Sequence, residues 1–237
     1  MFGRFKKQPE KLVYAIIPAA GSSSRMGGGN KLLMELDGVP VLCRTLRVFE
    51  ETEGIDGIVI ACREQDVAEY RALTEQWGMT KVKNIVVGGA TREHSVLQGV
   101  LACPKSVGYV AIHDAARPLV TQEIIIQAVE AAKQDSAAAP AVPMKDSIQR
   151  IQSGKMVENI NRETIVAVQT PQCFDIDLIR AALTDALDKK LPLTDDCGAA
   201  LALGQPSTMT EGSYENIKIT TPEDILIGEA ILKGRKA

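Results

Sequence analysis

The feature that most restricts how this chain folds is a rhythm. Short apolar runs, LVYAII at 12–17, GIVIA at 57–61, KNIVV at 83–87 and GYVAIHDA at 108–115, are too brief for helices and carry no polar alternation. Such runs read as strands buried on both faces. Between them VPVLCRTLRVFEE, EQDVAEYRALTEQWG, TREHSVLQGVLA and TQEIIIQAVEAAKQ space their apolar residues as amphipathic helices do. Strands and helices in alternation predict an α/β fold, a doubly wound, mostly parallel sheet with helices on both faces. Ligands of such sheets sit at the carboxyl ends of the strands. Two polar stretches fall there: PAAGSSSRMGGGNK, Pro18 to Lys31, and HDAARP, 113–118.

The rhythm breaks after AAAPAVPMKDS. Residues 146–168, DSIQRIQSGKMVENINRETIVAV, read as extended strands around a Ser-Gly turn, a β-arm leaving the main body. Such an arm cannot bury both faces alone and needs a partner surface, most simply the same arm of a second subunit. Helical spacing resumes in DIDLIRAALTDALDKK, DDCGAALALG and PEDILIGEAILK, the last opened by the start signature Thr221-Pro222-Glu223-Asp224. We read 1–237 as a single domain with an N-terminal tail over 1–11.

Charge and cysteine content exclude several classes. A formal net charge of -3 offers no footprint for a phosphate backbone, so nucleic acid is not expected as a partner. The five cysteines, at 43, 62, 103, 173 and 197, are odd in number and never form C-x-x-C, which argues against a disulfide framework and a zinc site. No window approaches a membrane span, and the basic start MFGRFKKQPEK lacks a signal-type cleavage region. A cytoplasmic protein is expected.

The opening loop suits a phosphorylated ligand. Ala19, Ala20 and Gly21 project little, so a base, ribose or phosphate can approach the backbone amides. Ser22 to Ser24 add hydroxyls, Arg25 a planar fork for phosphate oxygens, and Lys31 a mobile point charge. Neither familiar phosphate motif is met. A G-x-G-x-x-G pattern begun at Gly21 finds Ser23 and Met26, and the P-loop lysine step is here Asn30-Lys31-Leu32. On this loop alone, a glycine-rich surface turn with two solvated cations fits as well.

Six blocks in order decide more: PAAGSSSRMGGGNK, GGATREHSV, HDAARP, QTPQCF, LTDD and NIKITTPED. Together they resemble the 2-C-methyl-D-erythritol 4-phosphate cytidylyltransferase family of the bacterial and plastid isoprenoid pathway, over Tyr14 to Leu232. The resemblance implies a Rossmann-like sheet with a protruding dimer arm, a homodimer, and transfer of CMP from CTP to methylerythritol phosphate with release of pyrophosphate and help from Mg²⁺. It places transition-state stabilisation on Arg25 and Lys31, and CTP contacts on Ala19, Ala20, Gly21, Gly89, Ser95 and Ala115. Asp114 corresponds to the acid that meets the metal and both substrates. Arg117, Ser147, Arg162, Thr170, Thr194 and Lys218 surround methylerythritol phosphate, Arg162 and Lys218 holding its phosphate in line, and the arm residues Ser147 and Arg162 reach a neighbour's site. Read without the family, Ser95 fits a first-turn helix residue, Asp114 a turn cap, Arg162 a solvated cation, and Lys218 an exposed strand lysine in the alternating NIKIT. His113 reads as a satisfied strand-end histidine outside the site.

Three departures stand out. Asn30 replaces the proline usual before the loop lysine and is expected to relax the loop. Ser147 replaces a threonine, and Asn161 stands where an acid is common. The chemistry itself needs no general base, so the scarcity of histidine, two in all, is no obstacle. A polyol-phosphate cytidylyltransferase, such as one for ribitol 5-phosphate, is the nearest rival. A non-catalytic nucleotide-binding dimer is the rival of another class.

Overall fold

The computed structural model describes residues 11–21 and 30–236, and its central strand explains its layering. In β1 (Leu12–Ala19), Val13, Ala15 and Ile17 enter one hydrophobic core while Tyr14 and Ile16 enter another. A strand buried on both faces needs a layer of helices on each. The chain supplies them in order: a short ribbon of β2 (Glu35–Leu36) and β3 (Val39–Pro40), then α1 (Val41–Glu51), β4 (Gly57–Cys62), α2 (Val67–Gln76), β5 (Val82–Val87), α3 (Arg92–Leu101), β6 (Val107–Ile112) and α4 (Gln122–Asp135). Leu42, Leu46 and Phe49 of α1, Tyr70 of α2 and Ile125 of α4 fill the first core; Val96 and Val100 of α3 fill part of the second. Each large side chain so buried contributes roughly 1.5–3 kcal/mol. Helix α3 lies close on β1 because position 99 is glycine: a Cβ there would stand 2.5 Å from Ile16 Cγ2.

Strand β1 pairs in parallel with β4 on one side and β6 on the other, and β4 pairs in parallel with β5. The chain therefore winds outward through β1, β4 and β5, then returns across β1 to β6. The crevice between the carboxyl ends of β1 and β6 is the topological switch point, where sheets of this kind take their ligands.

Beyond β6 the sheet is less regular than the rhythm predicts. Strand β7 (Ala137–Pro143) is followed by the hairpin β8 (Ile148–Gln152) and β9 (Lys155–Ile160), then β10 (Val166–Val168), β11 (Gln172–Asp175), α5 (Ile176–Asp188), α6 (Asp196–Ala202), β12 (Thr208–Glu211) and α7 (Pro222–Arg235). Strand β11 runs antiparallel between β6 and β7, β10 adds antiparallel to β7, and β12 pairs parallel with it. Between the pairs Val168–Ala141 and Cys173–Ala138, five steps of one strand face three of the other, a bulge. That bulge carries Thr170 to the end of β6, where its Oγ1 accepts the Asp114 N–H at 3.2 Å.

Two sequence expectations need correction here. The arm is shorter than 146–168: only β8 and β9 stand apart, Arg162–Thr164 form a 3-10 turn, and β10 rejoins the main sheet. The Ser-Gly turn is as expected, with φ of 49° at Ser153 and 77° at Gly154, the left-handed pair a two-residue hairpin turn requires. The second correction concerns NIKIT, which is not a strand. It is an extended segment held at Ile219, whose N–H donates to Ala116 O at 2.8 Å, and Ile219 is buried while Lys218 faces the other way. Helix α7 starts where expected, closed by a Thr221–Asp224 capping box.

Candidate active site

Two cavities of similar size, about 350 and about 340 Å³, open among the described residues. One lies between α2 and β5 and presents Arg71, Glu75 and Lys83. The other lies at the switch point, and it is the candidate site because it gathers strand-end backbone, a buried acid and cations. Pro18, Ala19, Ala20 and Gly21 line it from the end of β1, Gly89 and Ser95 from the turn into α3 and its first turn, Asp114 and Ala115 from the end of β6, and Lys31 and Lys218 complete the lining. Position 89 has no room for a side chain, since a Cβ would strike His94 Cβ. Ser95 is buried; its hydroxyl donates to Thr91 O at 2.9 Å and accepts the Gly89 N–H at 3.1 Å, so it shapes this loop as a first-turn helix residue.

Asp114 is the centre of charge. Lys218 Nζ lies 2.8 Å from its Oδ2, Arg92 Nε 3.3 Å from its Oδ1, and Arg117 Nε 3.6 Å from Oδ2. Burial works to raise its pKa, but the Arg92, Lys218 and Arg117 charges outweigh it and hold the carboxyl well below the usual carboxylate range. The acid is therefore fully ionised at neutral pH. Lys31 joins this group, its Nζ donating to Ile219 O at 2.8 Å, one residue beyond Lys218.

His113 is wholly buried, with its ring 5.0 Å from that of Phe49. Nε2 lies 3.1 Å from Arg117 O, which only accepts, so the ring proton sits there and Nδ1 accepts from Thr170 Oγ1 at 3.0 Å. Burial pushes its pKa down to about 4. The neutral imidazole is closed off from any substrate. It fixes Thr170, and through it the Asp114 backbone, as the sequence expectation of a satisfied histidine requires.

Arg92, Asp196, Gln172 and Asn216 were not singled out in the sequence. Burial disfavours the Arg92 charge, yet Asp196 and Asp114 hold its pKa well above the usual arginine value; its Nη2 meets Asp196 Oδ2 at 2.8 Å. Burial pushes the Asp196 carboxyl upward against that attraction. Gln172 Oε1 accepts the Asp196 N–H at 2.9 Å, and Asn216 O accepts from Arg117 Nη1 at 2.7 Å. One signal was available for Arg92. A cation in the first turn of a helix opposes the helix dipole, so its presence implies acids nearby.

The structure thus brings Ala19, Ala20, Gly21, Lys31, Gly89, Ser95, Asp114, Ala115 and Lys218 to one cavity, with Arg117 and Thr170 behind Asp114. It leaves three apart. Ser147 and Arg162 are exposed at the root of the hairpin, Arg162 donating to Lys145 O at 2.7 Å, and Thr194 is exposed before the α6 cap Asp195. Arg25 and Ser22 to Ser24 lie outside the described residues.

Fold and site together define a doubly wound α/β protein whose switch-point crevice is arranged for phosphorylated ligands, the layout of a nucleotidyltransferase. Residues 13–234 match the family model of 2-C-methyl-D-erythritol 4-phosphate cytidylyltransferase (IspD), and the chain belongs to that family. A Halalkalibacterium halodurans protein of that name is 44% identical over 218 residues, covering 92% of this chain and 95% of that one. A Geobacter metallireducens protein of the same name is 40% identical over 226 residues, 93% and 97% of the two chains. Among solved structures, the 4-diphosphocytidyl-2C-methyl-D-erythritol synthase of Anaerococcus prevotii superposes with a TM-score of 0.84 at 30% identity, covering 94% of this chain and 96% of that one. The Thermus thermophilus 2-C-methyl-D-erythritol 4-phosphate cytidylyltransferase does so with a TM-score of 0.76 at 30% identity, covering 94% and 99%. No helix among the described residues is long and apolar enough to cross a membrane.

Proposed function

We propose that this chain transfers CMP from CTP to 2-C-methyl-D-erythritol 4-phosphate, giving 4-diphosphocytidyl-2-C-methyl-D-erythritol and pyrophosphate in the non-mevalonate route. The observation that carries this reading is Asp114, one ionised carboxylate among Arg92, Arg117 and Lys218, beside a histidine that is neutral and walled in. Transfer between phosphates asks for that arrangement. A phosphate monoester has a second pKa of ~6, so its oxygen is already anionic at neutral pH and attacks the α-phosphorus without a proton acceptor. The new bond joins that oxygen to the α-phosphorus, the α–β bridging bond breaks, and pyrophosphate leaves with the electron pair. What remains difficult is bringing two polyanions together and stabilising spread negative charge, which positioned cations do.

In this reading Ala19, Ala20, Gly21, Gly89 and Ala115 present backbone to the nucleotide, with Ser95 shaping the wall. Lys31, with Arg25, stabilises the transferring phosphoryl group. Lys218 and Arg162 hold the methylerythritol phosphate in line, and Arg117, Thr170, Ser147 and Thr194 orient the rest of that substrate. Mg²⁺ is the proposed cofactor. A lone ionised carboxylate, Asp114, suits an ion that would take its remaining oxygens from substrate phosphates and water, and such an ion would neutralise phosphate charge. Among the described residues no group of three ligating side chains occurs, so Mg²⁺ should bind measurably only with nucleotide present. Tight calorimetric binding of Mg²⁺ to the chain alone would count against Asp114 as its site.

We further take the functional unit to be a homodimer, acting in the cytoplasm, with 1–237 as one nucleotidyltransferase domain. Ile151, Met156 and Val157 stand exposed on the hairpin, and a second copy is the surface that would cover them. Ser147 and Arg162 then serve the neighbour's cavity. The deciding experiment is pyrophosphate release from CTP and Mg²⁺ with methylerythritol phosphate, run beside ribitol phosphate and the other nucleoside triphosphates. Turnover with ribitol phosphate alone would overturn the substrate, and no turnover with any pair would overturn the reaction.

A further inference from the structure

We infer that Asn30 and Tyr70 form a clasp that positions Lys31 for the transfer, a role that rests on the function proposed above. Lys31 is useful only if its ammonium meets a phosphate in one place, and a long side chain inherits its reach from its backbone. That backbone lies in a tight turn: Leu33 N donates to Asn30 O at 3.0 Å, Met34 N to Lys31 O at 3.3 Å, and Leu42 N to Leu32 O at 2.9 Å. These bonds tie the turn to itself and to the start of α1. The Asn30 side chain ties it to a different element.

The Asn30 amide has one orientation that satisfies both neighbours. Leu32 N–H can only donate, so the atom 3.2 Å from it is Oδ1, and Nδ2 faces the Tyr70 hydroxyl at 2.9 Å. Tyr70, on α2, is completely buried and among the largest such side chains. A phenol so placed needs a polar partner, and its rigid ring gives Asn30 a fixed anchor. The bond spans 40 residues and joins the lysine turn to α2, beside the core that Leu32 and Tyr70 share. Where proline would fix only its own φ, Asn30 fixes the turn from outside. The expectation that Asn30 relaxes this loop is therefore reversed.

The consequence reaches the second substrate's lysine. Lys31 Nζ donates to Ile219 O, and the preceding residue, Lys218, is 2.8 Å from Asp114. A shift at Asn30 changes the spacing between the two ammonium groups that the proposed reaction assigns to different substrates. A misplacement near 1 Å can cost up to ~10²-fold in rate, so loosening one of several restraints should cost less.

The test is a kinetic cycle. Tyr70→Phe keeps the ring and deletes the hydroxyl; Asn30→Ala deletes the other half from a partly exposed position and serves if Tyr70→Phe folds poorly. Each should lower kcat about three- to tenfold, while KM and the calorimetric Kd for CTP move less than about twofold. In a Lys31→Ala background neither should lower kcat further, because the clasp acts through that lysine. Equal loss in both backgrounds, loss confined to KM, or unchanged kcat in the single variants would overturn the clasp. An inactive wild type in the same assay would overturn the function proposed above and the clasp with it.

Discussion

The switch-point crevice and the β8–β9 hairpin are built in opposite ways. Around Asp114, charge is answered within the same chain: Arg92, Arg117 and Lys218 share its carboxylate, and His113 and Thr170 hold its backbone. Among the described residues the hairpin strands pair only with each other. Met156 and Ile151, 76% and 71% exposed, project from it with no covering element among the described residues. A two-stranded hairpin is at best marginally stable alone. The difference separates a region that is preorganised from one whose chemistry waits for another surface, and the proposed substrate residues divide along the same line.

The sharpest way to break this comparison is to remove a cation from the preorganised side. Lys31→Ala should lower turnover ~10²–10³-fold, the scale expected when a charge-stabilising donor is lost. Its melting temperature should stay near wild type, because the side chain is partly exposed and its ammonium bonds Ile219 O at the cavity rather than inside a hydrophobic core. Asp114→Ala should behave differently. It leaves three cations gathered without their carboxylate, and removing one partner from a buried charge cluster costs about 3–5 kcal/mol. Parallel loss of activity and melting temperature in Lys31→Ala would make that lysine structural too.

The parts of this division that were legible in the sequence are those written in local pattern. Strands β1, β4 and β6 announce themselves because both faces are buried, β5 by its Ile-Val-Val run although it is an edge strand with Lys83, Asn84 and Val87 exposed, and the Ser153-Gly154 turn because few residues accept its φ. Strands β11 and β12 were not legible: QCFD and TMTE are four residues each, and their pairing with β6 and β7 depends on chain more than 30 positions away. The site followed the same rule. Lys31, Asp114 and Lys218 could be read from short motifs, whereas Arg92 with Asp196, separated by 104 residues, becomes visible only when α3 and α6 start at the same end of the sheet. Asn30 was seen as a departure, but its partner Tyr70 could not be, since nothing local distinguishes a phenol anchored by a distant amide from an ordinary core ring.

A smaller effect tests the hairpin side. If Arg162 serves the partner's cavity, a dimer of Lys31→Ala with Arg162→Ala has one intact site, formed by the lysine-bearing body of one subunit and the arginine-bearing arm of the other. Random mixing of the two inactive proteins should then restore about a quarter of wild-type turnover, half the dimers being mixed with one good site of two. Mass spectrometry of the mixture must show the heterodimer for the result to count. No recovery with heterodimer present would return Arg162 to a solvated arm cation. Replacing Ile151 and Met156 together by aspartate should abolish recovery by separating the subunits, which sedimentation would report.

The smallest effect concerns pH and again falls on one side of the comparison. Burial depresses the His113 pKa to about 4, against about 6.5 in an unfolded chain. The unfolded state therefore takes up a proton on acidification before the native state does. The stability involved is fully present above about pH 6.5 and is lost as pH falls toward about pH 4, amounting to about 2 kcal/mol by about pH 5. For a chain of this size that corresponds to a fall of roughly 4–8 °C in melting temperature between about pH 7.5 and about pH 5. His113→Gln should melt lower than wild type at neutral pH, having lost a partner for Thr170, but with a flatter acid limb. Asp114 does not disturb this window, since its pKa lies below the usual carboxylate range and its contribution fades at lower pH still. Asp196 is common to both proteins and cancels in the difference. Identical acid limbs would mean that His113 gains a proton in the folded protein near its ordinary value, and the closed, neutral imidazole behind Thr170 would have to be given up.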